Sequence, residues 1–440
     1  MSNSNNSGTV LVDGAHYDWE VRREPQWSDA DGWRGMTVAL QQQGTQRGAV
    51  LEFPPPKRLL KGLARGRLQV NDAIVARGVR AALAAGWEPE SRGKPMQGMM
   101  GQGRTRLQEL DALRGIAAFS VLLFHYFNIY PKLFPHGHRL PPLFEHGGYG
   151  VLLFFAISGF VIAFSLEGTR SAADFAVKRF ARLFPVYWAA MALSIGIVLL
   201  LGAGQLLPPA WVIPVNMTML QGYFYLPAVD GVYWTLGVEL AFYCCMLAIW
   251  MGRGFARLEW LLLGWLAIKA AIAGWHAMPS RLVMLLVLDY IPFFIIGMLF
   301  YRIWSGHRRW GQQAPFFVAA LATIAWADPR EYLVAALLVM AIFAAMLRGW
   351  LPFLRHRLLL WLGAISYALY LIHHNAGLAI MNLVDRAGLS TWIGFVLATA
   401  ASLLLASALT YGVERPAARR INRWWRERTA SQGQRATQAG

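Results

Sequence analysis

A chain of 440 residues that is 56% apolar and only 15% charged, with a mean hydropathy of +0.37, is too greasy for an ordinary soluble enzyme and reads as a polytopic membrane protein. Its net charge of +17 at pH 7 invites a nucleic-acid reading. The basic residues, however, stand in short runs between apolar segments, where membrane proteins carry topology signals, so no nucleic-acid partner is expected.

The first hundred residues are mixed and polar. Residues 1–7 form a polar start, and 8–53 alternate short β-type runs (9–12, 17–22, 36–40, 49–53) with Gly, Asp and Asn turns. Pro54, Pro55 and Pro56 break this pattern, 71–86 has helical periodicity, and 87–94 reads as a closing turn. The expectation is a small cytoplasmic β-rich α+β domain over 1–94, of unassigned role, followed by a Gly, Met and Gln linker over 95–106. Trp19, Trp27 and Trp33 are read as core and turn packing ahead of a ligand groove. No cleavable signal sequence is visible at the start, so the first apolar span is expected to act as its own insertion signal.

Ten apolar spans follow: 112–130, 148–166, 185–203, 234–251, 258–276, 282–302, 314–327, 332–348, 357–380 and 391–412. The stretch 206–225 is moderately apolar but carries Pro208, Pro209, Pro214, Asn216 and Gln221. Charge decides its reading. If it does not cross, the loops on the N-terminal side hold 19 Lys or Arg and the opposite loops hold 5. That asymmetry is what positive-inside insertion produces, with both termini in the cytoplasm of a bacterial-type inner membrane. The stretch is therefore read as re-entrant or surface-lying. The expected fold class is an all-α membrane protein of about ten helices over 107–415, with the small N-terminal domain before it and a basic cytoplasmic tail over 416–440.

Ionisable residues at membrane depth are costly and ask for a function. On an α-helix, Asp111, Arg114, Ala118 and His125 fall within about 60° of one another, with Arg114 and His125 about 16 Å apart along the axis. In the expected orientation His125 lies beyond the midplane. Glu239 falls one to two turns below the outer surface, and His373 and His374 fall near the outer end of the ninth span, so these groups are expected to converge on one leaflet. Imidazole beside carboxylate is what a hydroxyl-activating base needs. For any one of them alone, hydrogen-bonded packing is an equal alternative, and it is preferred for His374 and for Lys269, which is expected to pair within the bundle. No metal is expected, because adjacent His373 and His374 point about 100° apart on a helix and no H-x-x-x-H pairing exists. Cys244 and Cys245, adjacent within an apolar run, argue against a disulfide framework and a thiolate metal site.

A second constellation is D-F-A-V-K-R-F-A-R-L-F-P-V-Y-W, with Lys178, Arg179 and Arg182. The three-residue spacing of Arg179 and Arg182 keeps both guanidinium forks on one side of a helix, suited to phosphate, although such a cluster alone is more often a lipid-headgroup anchor. Arg114, at the same depth, adds a further cation. In G-Y-G-V-L-L-F-F-A-I-S-G-F-V-I, Gly150 and Gly159 permit close helix approach, and Ser158 could donate to a substrate carbonyl.

Five strings in order, L-D-A-L-R-G-I-A-A followed by His125, V-L-L-F-F-A-I-S-G-F-V-I, K-R-F-A-R-L-F-P-V-Y-W, W-T-L-G-V-E-L-A-F-Y and S-Y-A-L-Y-L-I-H, resemble the acyltransferase 3 family of membrane acyltransferases over about 107–415. The resemblance implies an O-acyltransferase that takes an acyl group, acetyl in the first instance, from cytoplasmic acyl-CoA and passes it to a hydroxyl of a cell-envelope or exported glycan or glycolipid. Carried onto this sequence, it implies catalytic roles for His125, Glu239 and Arg114, and donor contacts from Arg179 and Arg182. Lys178 and Ser158 are added to the donor set, and Asp111, His373 and Tyr367 to the substrate set. Whether His125 is base or acyl carrier is left open. The family's W-S-L reads W-T-L here, which keeps the hydroxyl. Many relatives carry a C-terminal hydrolase-like domain; here only a basic tail follows, so the chain acts through its core or with a separate acceptor-modifying protein. The rival reading is a carrier or exporter of glycans or lipids that uses the same intramembrane charges.

Overall fold

The structure, a computed structural model, describes residues 7–23, 26–28, 32–34, 36–53, 72–84, 87–92, 95–99, 107–135, 140–169, 171–275 and 278–438. The expectations for residues 1–6, for Pro54 to Pro56 and for 100–106 lie outside them. The chain divides into two units at Arg106, each described by itself.

In the first unit, alternation of apolar and polar residues produces strands β1 (Ser7–Val12), β2 (Ala15–Arg23), β3 (Gln26–Ser28), β4 (Gly32–Arg34), β5 (Met36–Gln42), β6 (Ala49–Phe53) and β7 (Met96–Met99), with helix α1 (Asp72–Ala84). The sheet order is β1-β2-β5-β6-β7, antiparallel except for the parallel β6/β7 pair, and β3 and β4 form a separate hairpin. One face buries Val10, Val12, Tyr17, Trp19, Val38 and Leu51 against Val75 and Val79 of α1. Trp87 closes the core and donates its indole N–H to the Arg47 carbonyl at 3.0 Å. Trp19 is core, as expected; the side chains of Trp27 and Trp33 lie outside the described residues. The linker expectation needs a correction. Met96–Met99 pairs with β6, because an exposed sheet edge gives even a Gly- and Met-containing segment a row of unsatisfied backbone groups to bond.

The second unit is helical: α2 (Gln108–Leu133), α3 (Gly150–Glu167), α4 (Ala172–Leu200), α5 (Trp234–Met251), α6 (Leu258–Trp275), α7 (Ile291–Trp304), α8 (Trp310–Ala327), α9 (Arg330–Leu347), α10 (Arg357–Arg386), α11 (Thr391–Leu409) and α12 (Arg415–Gln438). Helix stands at each of the ten expected places, and the protein is a multi-pass membrane protein. Among the described residues six helical stretches are long and apolar enough to cross a membrane: 108–133, 145–167, 172–200, 234–251, 330–347 and 391–429. The expected sixth span is broken. A turn of helix at Ser280–Leu285 ends before Val287, which has a φ of +57°, and α7 restarts at Ile291 with Pro292 in its first turn. The difficult stretch holds only short helical turns at 204–206, 210–216 and 221–224. Its backbone is held by fully buried Asn216, which donates to Val212 O and Pro227 O at 3.1 Å and accepts from Val229 N at 2.9 Å. The basic tail continues as α12.

Helix α10 is the hub, buried almost all round from Ile365 to Ala379. It packs against α2 at two facing glycines. A Cβ on Gly115 would strike the Leu362–Gly363 backbone, and one on Gly363 would strike the Asp111 carbonyl. Gly159 of α3 and Gly297 of α7 interlock in the same way against Phe294 O and Ala156 O. Because rigid backbone rather than a movable side chain fills the space, Gly363→Leu is expected to exceed the ordinary overpacking cost of about 1–3 kcal/mol and to abolish the monodisperse peak in size-exclusion chromatography. Gly264→Ala, at a position where a Cβ meets nothing within 4 Å, should leave that peak intact.

Candidate active site

Two polar clusters lie inside the helical unit. The first surrounds a narrow cavity of about 50 Å³. Arg114 of α2, Ser158 of α3, Arg179 and Arg182 of α4, Thr235, Glu239 and Tyr243 of α5, and Tyr367 and Tyr370 of α10 line it, with Phe154 and Phe155 as apolar wall. Three guanidinium groups so close need counter-charge; Glu239 supplies it from the cavity wall, and Glu414 acts on Arg114 and Arg182 as well. Glu239 Oε1 accepts from Ser158 Oγ at 2.8 Å and from the Tyr243 hydroxyl. The Arg179 guanidinium lies over the Phe175 and Tyr243 rings, 5.5 and 5.8 Å from their centroids, and its Nη2 donates to Ser165 Oγ at 3.0 Å. Among the described residues its Nε is buried with no acceptor.

The sequence expectation that Arg114, Arg179, Arg182 and Ser158 share a site agrees with this geometry. Lys178, grouped with them, does not line the cavity: it is exposed and pairs with Asp174 at 2.8 Å, since its place in the turn points it away. Asp111 also stays off the cavity wall, at the α2/α10 contact. Lys269 pairs within the bundle, with Asp328 at 2.8 Å.

The second cluster is built around His125. Helix α2 passes through a π-helical turn at His125–Ile129, a distortion common at functional sites because it re-aims side chains without ending the helix. His125 Nδ1 donates to Val121 O at 2.8 Å. His373 Nδ1 is 3.0 Å from both Leu369 O and Tyr370 O, so it carries the proton and leaves Nε2 as an acceptor. That Nε2 lies 3.1 Å from His125 Nδ1. The His125 N–H is thus shared between a carbonyl and a second imidazole, and its Nε2 keeps a free lone pair. Tyr126 locks the turn by donating to His373 O at 2.8 Å and meeting Ser402 Oγ at 2.9 Å.

The expected convergence of Glu239 with the histidines needs a correction. Glu239 belongs to the arginine cavity, because depth along a helix fixes height but not the direction a side chain faces. The carboxylate beside the histidines is Asp230, 3.1 Å from His374 Nδ1, in the stretch before α5. Sequence reasoning missed it; the available signal was that Asp230 is the only charged residue between Leu201 and Trp234. His125 is half-buried and does not line the arginine cavity. What joins the two clusters is Tyr370. It lines the cavity, its ring centroid is 5.9 Å from that of His373, and its hydroxyl meets Thr235 Oγ1 at 2.9 Å and Val232 O at 3.2 Å. The hydroxyl of the W-T-L motif therefore holds the partition between them.

Residues 107–411 match the family described as an acyltransferase domain. Nodulation protein 10 of Rhizobium leguminosarum bv. viciae is 28% identical over 291 residues, covering 60% of this chain and 69% of that protein. No solved structure matches.

Glu239→Leu should cost about 3–5 kcal/mol in thermal melts of the detergent-solubilised protein, since it removes the carboxylate that lines the cavity among three guanidinium groups. Ser158→Ala, which removes one hydrogen bond to that same carboxylate, should cost only about 1 kcal/mol. Equal losses would mean that Glu239 does not hold the cations.

Proposed function

The chain belongs to the acyltransferase 3 family, and on that premise we propose that it moves an acyl group, acetyl in the first instance, from acyl-CoA to a hydroxyl of a cell-envelope or exported glycan or glycolipid. The observation that carries this reading is the pairing of an arginine-lined cavity containing a donor unsatisfied among the described residues with an imidazole whose Nε2 has no partner among them, Tyr370 and Thr235 standing between the two. In this reading the N-terminal end of α2 faces the cytoplasm of an inner membrane. Arg179, Arg182 and Arg114 take the donor's phosphates, with Arg179 Nε among the donors. Ser158 and Tyr367 line the path of the pantetheine arm, and Tyr370 swings aside for the thioester. The acceptor enters from the opposite face.

Transfer follows from the tautomer. His125 Nε2 takes the proton of the acceptor hydroxyl as its oxygen attacks the thioester carbonyl carbon. The tetrahedral intermediate collapses, the C–S bond breaks, and the departing sulfur takes the proton back from the imidazolium. An O-acyl ester and a free thiol remain, and His125 is neutral again. His373 Nε2, accepting from His125 Nδ1, keeps the ring turned so that Nε2 faces the reaction. A water-poor apolar wall protects the thioester from hydrolysis.

His125→Ala should lower transfer at least 100-fold, within the range of about 100- to 10,000-fold for a positioned general base, with the amount of folded membrane protein unchanged. Mass spectrometry of surface glycans and lipids from a deletion strain, restored with wild type or variant, checks this. A mass increment present with wild type and absent with the variant names acyl group and acceptor together. An increment that persists with His125→Ala overturns the role of His125, and retained glycan export with no acyl-CoA consumption supports the carrier reading instead.

A further inference from the structure

One pair in the histidine cluster is not used by the transfer chemistry above. Asp230 is fully buried, and among the described residues its ion-pair partner is His374. It accepts from Asn375 N at 3.0 Å, from Val232 N at 3.3 Å and from Ser194 Oγ at 3.5 Å, and its Oδ1 stands 3.1 Å from His374 Nδ1. That same Nδ1 is 2.9 Å from Asn375 Oδ1. Both neighbours are acceptors, so Nδ1 carries the proton. The His374 ring stands edge-to-face on His125, centroids 4.6 Å apart and planes at 81°. Gly231 makes room for it: a Cβ there would come within 2.8 Å of His374 Cε1, so no larger residue fits beside the ring in this position.

A purely structural staple would not need a charge. Four hydrogen bonds to a buried oxygen pair can be met by neutral groups, and a carboxylate in an apolar interior is expensive unless its charge is used. The titratable groups that face His125 are His373 and His374 of α10 and, behind His374, Asp230 before α5. His373 is committed as a neutral acceptor. Among the described residues, the negative charge that acts on His125 is therefore that of Asp230.

We propose, resting on the acyl-transfer reading above, that Asp230 and His374 are positioning residues for His125: the carboxylate fixes His374, the His374 ring holds the plane of His125, and the Asp230 charge stabilises the imidazolium formed when His125 takes the hydroxyl proton. Asp230→Asn removes the charge while keeping an acceptor for one of the two backbone amides, and His374→Gln removes the ring.

The test uses full-length protein in nanodiscs, with histidine labelled at ¹³Cε1 and the His125 resonance assigned by its loss in His125→Ala. In Asp230→Asn the His125 resonance should shift, because loss of the nearby negative charge changes the field at the imidazole. His374→Gln should broaden or shift the same resonance through loss of the ring contact. Alongside, acyl transfer from radiolabelled acetyl-CoA to the lipids and glycans of membrane vesicles should fall roughly tenfold in either variant, a fraction of a base's full contribution. An unmoved His125 resonance in folded Asp230→Asn and His374→Gln overturns the proposal whatever the activity. If Asp230→Asn does not fold, His374→Gln decides alone. A shifted resonance together with wild-type vesicles that transfer no label leaves the positioning pair standing and defeats the acyl-transfer reading instead.

Discussion

A charged group taken out of water into an apolar bundle costs several kcal/mol unless opposite charge and hydrogen bonds meet it. That constraint sets where the helices of this protein sit. Glu259 at the start of α6 accepts at 3.0 Å from Arg302 of α7 and at 3.0 Å from Arg308, with Gln313 of α8 at 3.2 Å, so one buried carboxylate ties three helices. Lys269 and Asp328 tie α6 to the end of α8, and Glu109 meets Arg355 at 2.7 Å ahead of α10. The cation cavity obeys the same rule: Glu239 stands among three guanidinium groups, Glu414 acts on Arg114 and Arg182, and among the described residues the Arg179 Nε has no acceptor.

Helix α10 turns that constraint into a division of labour. On one stretch it offers Tyr367 and Tyr370 to the cavity; on the next turn it offers His373 and His374 to His125. The contact between Tyr370 and Thr235 is made of two hydroxyls rather than of interlocked backbone. It is therefore a contact that a side-chain rotation can open, unlike the glycine-to-backbone contacts that fix α2 on α10 and α3 on α7. Rigid packing holds the two clusters at a set separation, and a hydroxyl pair stands between them.

Much of this was legible in the residues. Periodicity located the helices, the three-residue spacing of Arg179 and Arg182 placed both on one wall, and a straight helix carried Arg114 and His125 to different depths on one face, since the π-turn begins only at His125. Alternation found four strands of the N-terminal sheet. What sequence could not give was which helix faces meet. Tertiary packing sets Glu239 with Arg114, Ser158 and Tyr243 rather than with His125, and Asp230 takes the expected place from outside any periodic segment. The break in the sixth span was hidden for a related reason: an apolar string scores as continuous whether or not Val287 adopts a left-handed backbone. Strand β7 was missed because its composition is that of a linker and only the waiting sheet edge orders it.

The central claim is that donor and acceptor use opposite faces, with the arginine cavity on one side and the histidines toward the other. Proteoliposomes holding the protein in one known orientation test it most directly, with labelled acetyl-CoA supplied only on the side of the N-terminal end of α2. The account predicts that labelled ester appears on acceptors confined to the opposite side and that donor supplied on that opposite side gives none. Ester formed only when donor and acceptor share a side would contradict it.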